Sequence, residues 1–360
     1  MPFDPTELRQ VGRTKLKTNL LGLGTVQIGG WPRRLSEADA VKVLDAAWDA
    51  GIRTFDTAPM YGMGMSEERL GRFLAYKPKE SFVISTKVGR IVEDDPNNSQ
   101  PTGDDEFWKG APPRLYHFDF SYDGVMRSVE DSLERTGLDR FDMLLIHDAD
   151  DHVDEALGGC YKALDKLRSE GTVTAIGAGM NQNPALAKLA AEADMDIFLL
   201  AGRYTLLDHS ALTELFPVCE AKGTTILIGG VYNSGVLNNP VEGSSFDYVP
   251  LDKDWRANVL DHGVRAPADH ETGEYWLKRA QAIKAVCDRH NVPLSTAAIQ
   301  FSAAHPIVSS IPVGAGRPER FTQNMEALKT DIPFALWAEL KHEKLIAEDA
   351  PVPVQSPAEF

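Results

Sequence analysis

The chain has 360 residues, 43% of them hydrophobic and 25% charged, enough apolar material for a large buried core. A formal net charge of −16 speaks against a nucleic-acid partner, because phosphate backbones are held by clustered Lys and Arg, although one local basic pocket for a dinucleotide is still allowed. No apolar run is long enough to cross a bilayer, residues 1–20 lack the order of a signal peptide, and Cys160, Cys219 and Cys287 share no metal-ligand spacing. The expected setting is therefore a reducing cytoplasm, with no membrane and no metal.

In chain order, residues 8–19 (LRQVGRTKLKTN) read as a small hairpin turning at Gly12–Arg13, placed to plug the bottom of a barrel. Eight short apolar runs follow, at 20–26, 52–58, 82–88, 142–148, 173–179, 196–202, 224–230 and 307–313. Their wealth of Val, Ile and Leu without strict polar alternation fits strands buried on both faces, as in parallel sheets. Helical segments alternate with them. Ser36 caps a run in which Ala40, Val43, Leu44 and Ala47 recur at helical spacing, with Gly51 as its stop. Asp123–Gly137, Val153–Gly171, Pro184–Ala193, Ser210–Gly223, Glu274–His290 and Glu319–Leu328 read likewise.

Eight strands alternating with helices imply right-handed βαβ units. They close most simply into a (β/α)8 TIM barrel, here one domain over residues 1–360, although periodicity also allows a doubly wound open sheet. Residues 91–120 and 231–273 break the rhythm; each follows a strand and belongs on the C-terminal face, where barrels build their sites. Trp108, Tyr116 and His117 in one, and Tyr248 and Trp255 in the other, point to lids. The tail 351–360 is expected to be frayed.

Asp56, Lys87 and His147 each end a different apolar strand, and Tyr61 follows Asp56 after a short Pro-containing turn. Any one of them alone suits a buried ion pair or a core histidine. Together, on strands two, three and four, they converge in space. The chemistry they support is proton transfer coupled to hydride transfer. Tyrosine's pKa of about 10 is high for acid–base work near neutrality, and a neighbouring Lys87 ammonium is expected to lower it. Asp56 would hold Lys87, His147 would orient a carbonyl or hydroxyl oxygen, and Tyr61 would move the proton.

The run GIRTFDTAPMYGMGMSEERLG (51–71) closely resembles the first signature of the aldo-keto reductases, and Lys87 in ISTK and His147 in LLIH fall where that family keeps its other tetrad members. The resemblance extends from residues 11–22 to the helix after Pro318. It implies a catalytic tetrad of Asp56, Tyr61, Lys87 and His147, with a nicotinamide cofactor. Asn181 in GAGMN matches the asparagine that bonds the carboxamide, with Met180 in place of the usual serine; a glutamine is replaced by Ala201 and a stacking aromatic by Gly229. Asn233, Ser234, Gly235 and Leu237 in NSGVL resemble the loop near the pyrophosphate. Pro312, Val313, Gly314, Arg317, Arg320, Gln323 and Asn324 resemble the adenine-side site, and Gly24 and Thr25 complete the cofactor set. NADP-preferring members place a cation just after the Ile-Pro; Val313 and Gly314 stand there, so the expected cofactor is NAD, with NADP possible through Arg317.

Within the family, FDTAPMYGMGMSEERLG, STKVGR, residues 118–148 and GRYTLLD are similar to the sugar 1-dehydrogenases acting on L-fucose and D-threo-aldoses, with pyridoxal 4-dehydrogenase close by. The implied reaction oxidises the C1 hydroxyl of a monosaccharide to a lactone, with Trp31, Met60, Trp108, His117 and Asp148 as the expected substrate pocket. Alternatives are a channel-β-type binding module, against which the intact tetrad counts; a metal-dependent barrel hydrolase or isomerase, for which no His-x-His cluster exists; and a carbonyl reductase using NADPH. Monomer and homo-oligomer both remain open.

Overall fold

Each barrel strand is covered inside by the barrel core and outside by helices, and that double burial is what an uninterrupted Val, Ile and Leu run encodes. In the computed structural model, which describes residues 2–95, 97, 107–242, 244–246, 249–250 and 273–353, β1 (Leu8–Gln10) and β2 (Lys17–Asn19) pair antiparallel across the expected turn. Then come β3 (Leu21–Gly24), α1 (Glu37–Asp49), β4 (Thr54–Asp56), α2 (Met65–Leu74) and β5 (Val83–Val88). β6 (Arg90–Asp94) and β7 (Arg114–Phe118) form an antiparallel hairpin before α3 (Tyr122–Thr136) and β8 (Met143–His147). α4 (Val153–Glu155) runs through a π-helical turn at Ala156–Cys160 into α5 (Tyr161–Ser169), followed by β9 (Ala175–Met180), α6 (Asn183–Glu192), β10 (Ile197–Ala201), α7 (Leu215–Lys222) and β11 (Thr225–Gly229). A second small hairpin pairs β12 (Ser245–Phe246) with β13 (Val249–Pro250), and α8 (Gly273–Arg289), α9 (Leu294–Ala304), β14 (Val308–Gly314), α10 (Pro318–Lys329) and α11 (Phe334–His342) complete the order.

The strands close in the order β3-β4-β5-β8-β9-β10-β11-β14, each neighbouring pair parallel. The pairing of β14 with β3 excludes the open sheet. The eight expected strands are the eight observed. The N-terminal hairpin closes the bottom: Val11 and Leu16 pack on Met143, Leu145, Ile197, Leu199 and Leu227 inside the barrel, and the Gly12 amide donates to Thr225 Oγ1 at 2.8 Å. The larger core lies between strands and helices. Ser36 caps α1 by accepting from the Asp39 amide, and Ala40, Val43, Leu44 and Ala47 are its buried stripe.

Three helices have no counterpart in the expectations. α9 is apolar nearly all round, with nine residues buried, so no polar face marks its period. α2 begins inside the 51–71 run, where the turn chemistry hides its start, and α11 is only nine residues long. The stretch read as one helix over Val153–Gly171 is interrupted by the π turn, which holds Gly158 and Gly159. Residues 91–120, expected to be irregular, carry most of the β6–β7 hairpin, with Arg90 opposite Phe118 and Asp94 opposite Arg114. Tyr248, Trp255 and residues 354–360 lie outside the described residues. Among the described residues no helix is long and apolar enough to cross a membrane.

Candidate active site

The period of two along each strand decides what reaches the mouth of the barrel. On β8, Met143 and Leu145 face the inner cluster while Leu144 and Ile146 face the outer core, so His147 tops the inner row. The same count sets Lys87 above Ser85 and Val83 on β5, and Asp56 above Thr54 on β4. Register then staggers them in even steps: Asp56 is opposite Ser85, two before Lys87, and Lys87 is opposite Leu145, two before His147, so all three stay on the inner row.

Lys87 Nζ donates to Asp56 Oδ2 at 2.8 Å and to the Thr57 carbonyl at 2.8 Å, and Ser85 Oγ donates to Asp56 Oδ1 at 2.7 Å. The same ammonium lies 4.6 Å from the centroid of the Tyr61 ring, whose other neighbours are His147 at 5.9 Å and Trp108 at 6.0 Å. Tyr61 is held there by a close backbone crossing. Gly62 has φ +65°, and a Cβ on it would stand 2.3 Å from the Gly29 carbonyl oxygen. Thr25, expected at the cofactor, is fully buried behind this group. Its hydroxyl donates to the Asp56 carbonyl at 2.8 Å and accepts from Ser66 at 2.7 Å, so it braces the tetrad instead of facing the cleft.

Burial works most strongly against the Lys87 charge, but Asp56 and Tyr61 beside it together outweigh burial and hold the lysine above its ordinary value. Burial raises Tyr61 too. Lys87 pulls the phenol down, as expected, yet the sum is a raised value, because burial is the largest influence and Asp56 adds to it. The expectation of a lowered tyrosine is thus reversed in this structure, and Tyr61 holds its proton at neutral pH. Burial, then Arg90 and Lys87, push His147 well below 6.5, which makes it a neutral imidazole. Its Nδ1 is buried without a hydrogen-bond partner among the described residues, and its Nε2 lies 3.5 Å from Asp148 Oδ2.

Asp148 has a left-handed backbone, φ +45°, unusual away from glycine and frequent where a side chain is aimed for a purpose. Burial raises its carboxyl to about 6 although Arg90 Nη2 pairs with it at 2.7 Å. Arg90 is itself buried, stacked against Tyr116 and Phe118.

These groups line a cleft of about 880 Å³. Of the expected substrate residues, Trp31, Met60, Trp108 and Asp148 line it. His117 does not: Tyr116 and Phe118 turn toward Arg90, and alternation sends His117 to the other face of the hairpin. There it is about half exposed, 3.8 Å from Glu93. Asn181, Asn233 and Ser234 line the cleft beside Ala201, Gly202 and Gly230.

A nicotinamide needs a flat floor and an amide partner, and the residues present fit it. Ala201 stands opposite Gly229 in the ladder, and a Cβ on Gly229 would come within 3.1 Å of Leu199 Cδ2. Small residues packed closely on Leu199 therefore stand in place of the glutamine and the aromatic. Asn181 Nδ2 donates to the Ala201 carbonyl at 3.2 Å, and Asn233 Oδ1 is buried with no partner among the described residues.

A second cleft of about 590 Å³ adjoins the first at Trp31 and is lined by Gln27, Arg33, Gly316, Arg317 and Arg320. Of the remaining expected cofactor residues, Pro312 and Val313 are buried, Leu237 belongs to the core, and Gln323 is exposed; Gly24, Gly235 and Gly314 line neither cleft. Asn324 is buried and accepts from the Tyr232 hydroxyl at 2.6 Å. Reasoning from the sequence missed Arg90, Phe107, Gly202, Gly230, Gln27 and Arg33. Arg90 carried a usable signal, a cation just past a strand end, as Lys87 is at one. Arg33 had none, since it meets Arg317 only in space.

Residues 20–342 match the model of the aldo/keto reductase family. The D-threo-aldose 1-dehydrogenase of a Pseudomonas species is 42% identical over 91% of this chain and 94% of its own length. The pyridoxal 4-dehydrogenase of Microbacterium luteolum is 38% identical over 96% of this chain and 100% of its own. The holo form of an aldo-keto reductase from Bacillus halodurans superposes with a TM-score of 0.69 over 97% of this chain and 99% of that one; at 22% identity this speaks to the fold alone.

Proposed function

This chain belongs to the aldo-keto reductase family, and we propose from that premise that it is an NAD(P)-dependent oxidoreductase acting on C1 of a monosaccharide hemiacetal, yielding a lactone in the oxidative direction. One observation carries the reading: the Lys87 ammonium, 2.8 Å from Asp56, lies 4.6 Å from the centre of the Tyr61 ring, and a neutral His147 lies 5.9 Å from the same ring. Asn181, Asn233 and Ser234 would hold a nicotinamide, which would supply the hydride acceptor or donor.

The chain's own residues do the rest. Tyr61, protonated at neutral pH, is ready as the acid for carbonyl reduction. For oxidation it must first lose its proton, and the Lys87 ammonium then steadies the phenolate that receives the C1 hydroxyl proton. His147 holds the substrate oxygen, and Asp56 keeps Lys87 charged and in place. Trp31, Met60 and Trp108 offer an apolar face to a pyranose, and the Asp148–Arg90 pair in the same cleft offers acceptors and donors for its hydroxyls. The uncharged Val313 and Gly314 favour NAD as cofactor.

A second reading, oxidation of pyridoxal or reduction of a general aldehyde or ketone, has the aromatic wall in its favour, where Trp31 and Phe107 stack at 5.8 Å, together with the pyridoxal 4-dehydrogenase relative. The test is A340 turnover of L-fucose, D-arabinose, L-galactose, pyridoxal and simple aldehydes with NAD+ and NADP+, beside the Tyr61→Phe variant. The expected result is aldose oxidation that rises with pH as phenolate forms, and a loss of roughly 10²–10⁴-fold in the variant. Near-normal turnover in Tyr61→Phe would end the reading; turnover of pyridoxal but no aldose would move it to the alternative.

A further inference from the structure

A third cleft, of about 1,830 Å³, opens on the C-terminal face where the connections after β8, β9 and β10 meet. It shares Asn181 with the cleft around Tyr61, and its residue Asp150 stands two after Asp148, which lines that first cleft. Five carboxylates, Asp154 and Glu214 among them, line it together with two cations, Lys188 and Arg203, and Lys188 pairs with Asp154 at 2.6 Å. Two amides stand in the wall next to Asn181. Asn183 is 5% exposed; its Nδ2 donates to Ser210 Oγ at 2.8 Å, while its Oδ1 has no partner among the described residues. Gln182 is the converse. Its Oε1 accepts from the Asn181 amide at 3.1 Å, and its Nε2 has no partner among the described residues. A buried polar atom without a partner is destabilising, and a bound group that completes it removes that cost.

The lining selects the ligand by what each group can donate or accept. An ammonium group only donates, so it suits the carboxylates and Asn183 Oδ1 but not Gln182 Nε2 or Arg203. A phosphate or carboxylate only accepts, and it meets an excess of like charge. A hydroxyl does both. We propose that this cleft is a subsite for an uncharged, hydroxyl-rich unit carried by the substrate, so that the substrate is an aldose glycosylated away from C1. Its reducing ring lies beside Tyr61, and the attached glycosyl unit lies against Gln182, Asn183 and Glu214. The inference rests on the aldose reading above and names a larger substrate class for the same site. The glycosyl unit takes no part in the chemistry. It adds binding that is equal in ground and transition states, which lowers KM and leaves kcat nearly the same.

The test takes the panel aldose turned over fastest and compares it, in the A340 assay, with the same aldose carrying a β-galactosyl group on each hydroxyl other than those at C1 and C2, one position at a time. At least one glycosylated form is expected to have a KM roughly tenfold below that of the free aldose, with kcat within about twofold. Thr213 is an exposed residue that lines this cleft and not the first. Thr213→Trp puts a ring into the subsite and is expected to abolish the gain, while the free aldose keeps its KM and kcat within about twofold. Thr213→Ser leaves the space open and is expected to keep the gain. A glucuronosyl group in place of galactosyl is expected to lose it through charge repulsion. The proposal is overturned if no glycosylated form has a lower KM than the free aldose, if the gain survives Thr213→Trp or vanishes in Thr213→Ser, or if the glucuronosyl form keeps it. Absence of turnover with every free aldose overturns the aldose reading and this proposal with it, an outcome distinct from all of these.

Discussion

The two adjoining clefts hold charge in opposite ways. Around Tyr61 the charged groups are buried and paired: Lys87 by Asp56, Arg90 by Asp148. Around Arg33 the cations are exposed, and no acidic residue lines the cleft they share. Buried pairs in a low-dielectric setting fix positions and protonation states, which proton transfer requires. Exposed cations tune affinity for an anion that arrives from solvent, at small cost when it is absent. The contrast is a division: one cleft whose charges are buried and paired, as the proposed proton transfer needs, and one whose charges face solvent.

The hardest blow to that division is Lys87→Met. It leaves Asp56 buried without its partner, so we expect a stability loss of about 3–5 kcal/mol by denaturant titration, together with a fall of roughly 10²–10⁴-fold in turnover. A stable variant with near-normal rates would mean that the pair is ornamental.

Gly62→Ala tests whether position matters independently of charge. The new methyl strains a left-handed residue and meets the Gly29 carbonyl, costing about 1–3 kcal/mol, and the shifted Tyr61 should lower kcat by up to about 10²-fold with cofactor affinity nearly unchanged. Equal losses in kcat and in cofactor binding would show that the two clefts are not separable.

Asp148→Asn gives the smallest effect and sharpens the picture most. Because burial raises this carboxyl to about 6, it is ionised above that pH and neutral below it. Aldose kcat/KM should therefore fall as pH drops through 6 in the wild type, with a flatter acid limb and a roughly tenfold higher aldose KM in the variant. A simple aldehyde, with no hydroxyls to bind, should keep its KM within about twofold.

Much of this was legible in the chain. Long apolar runs, Ser36 before an amphipathic stretch, and ionisable residues ending strands are local features. Burial on both faces selects the first, capping the second, and the two-residue pleat carries the third to one rim. Asp56, Lys87 and His147 could be named because each ends its strand on the inner row. His117 could not be placed, since its face depends on how β6 and β7 pair, and a shift of one residue would have reversed it. Arg90 was within reach of the same strand-end criterion and was overlooked.

By itself the sequence determined the alternation of strands and helices, the plug at the barrel bottom and the identity of four groups at the mouth, because those follow from periodicity and residue type along the chain. Closure through β14 and β3, the raised value of Tyr61, the left-handed Asp148 beside Arg90 and the meeting of Arg33 with Arg317 were decided only by the tertiary structure. Each depends on distances between residues remote in sequence, and burial and Coulomb interactions are read through space, not along the chain.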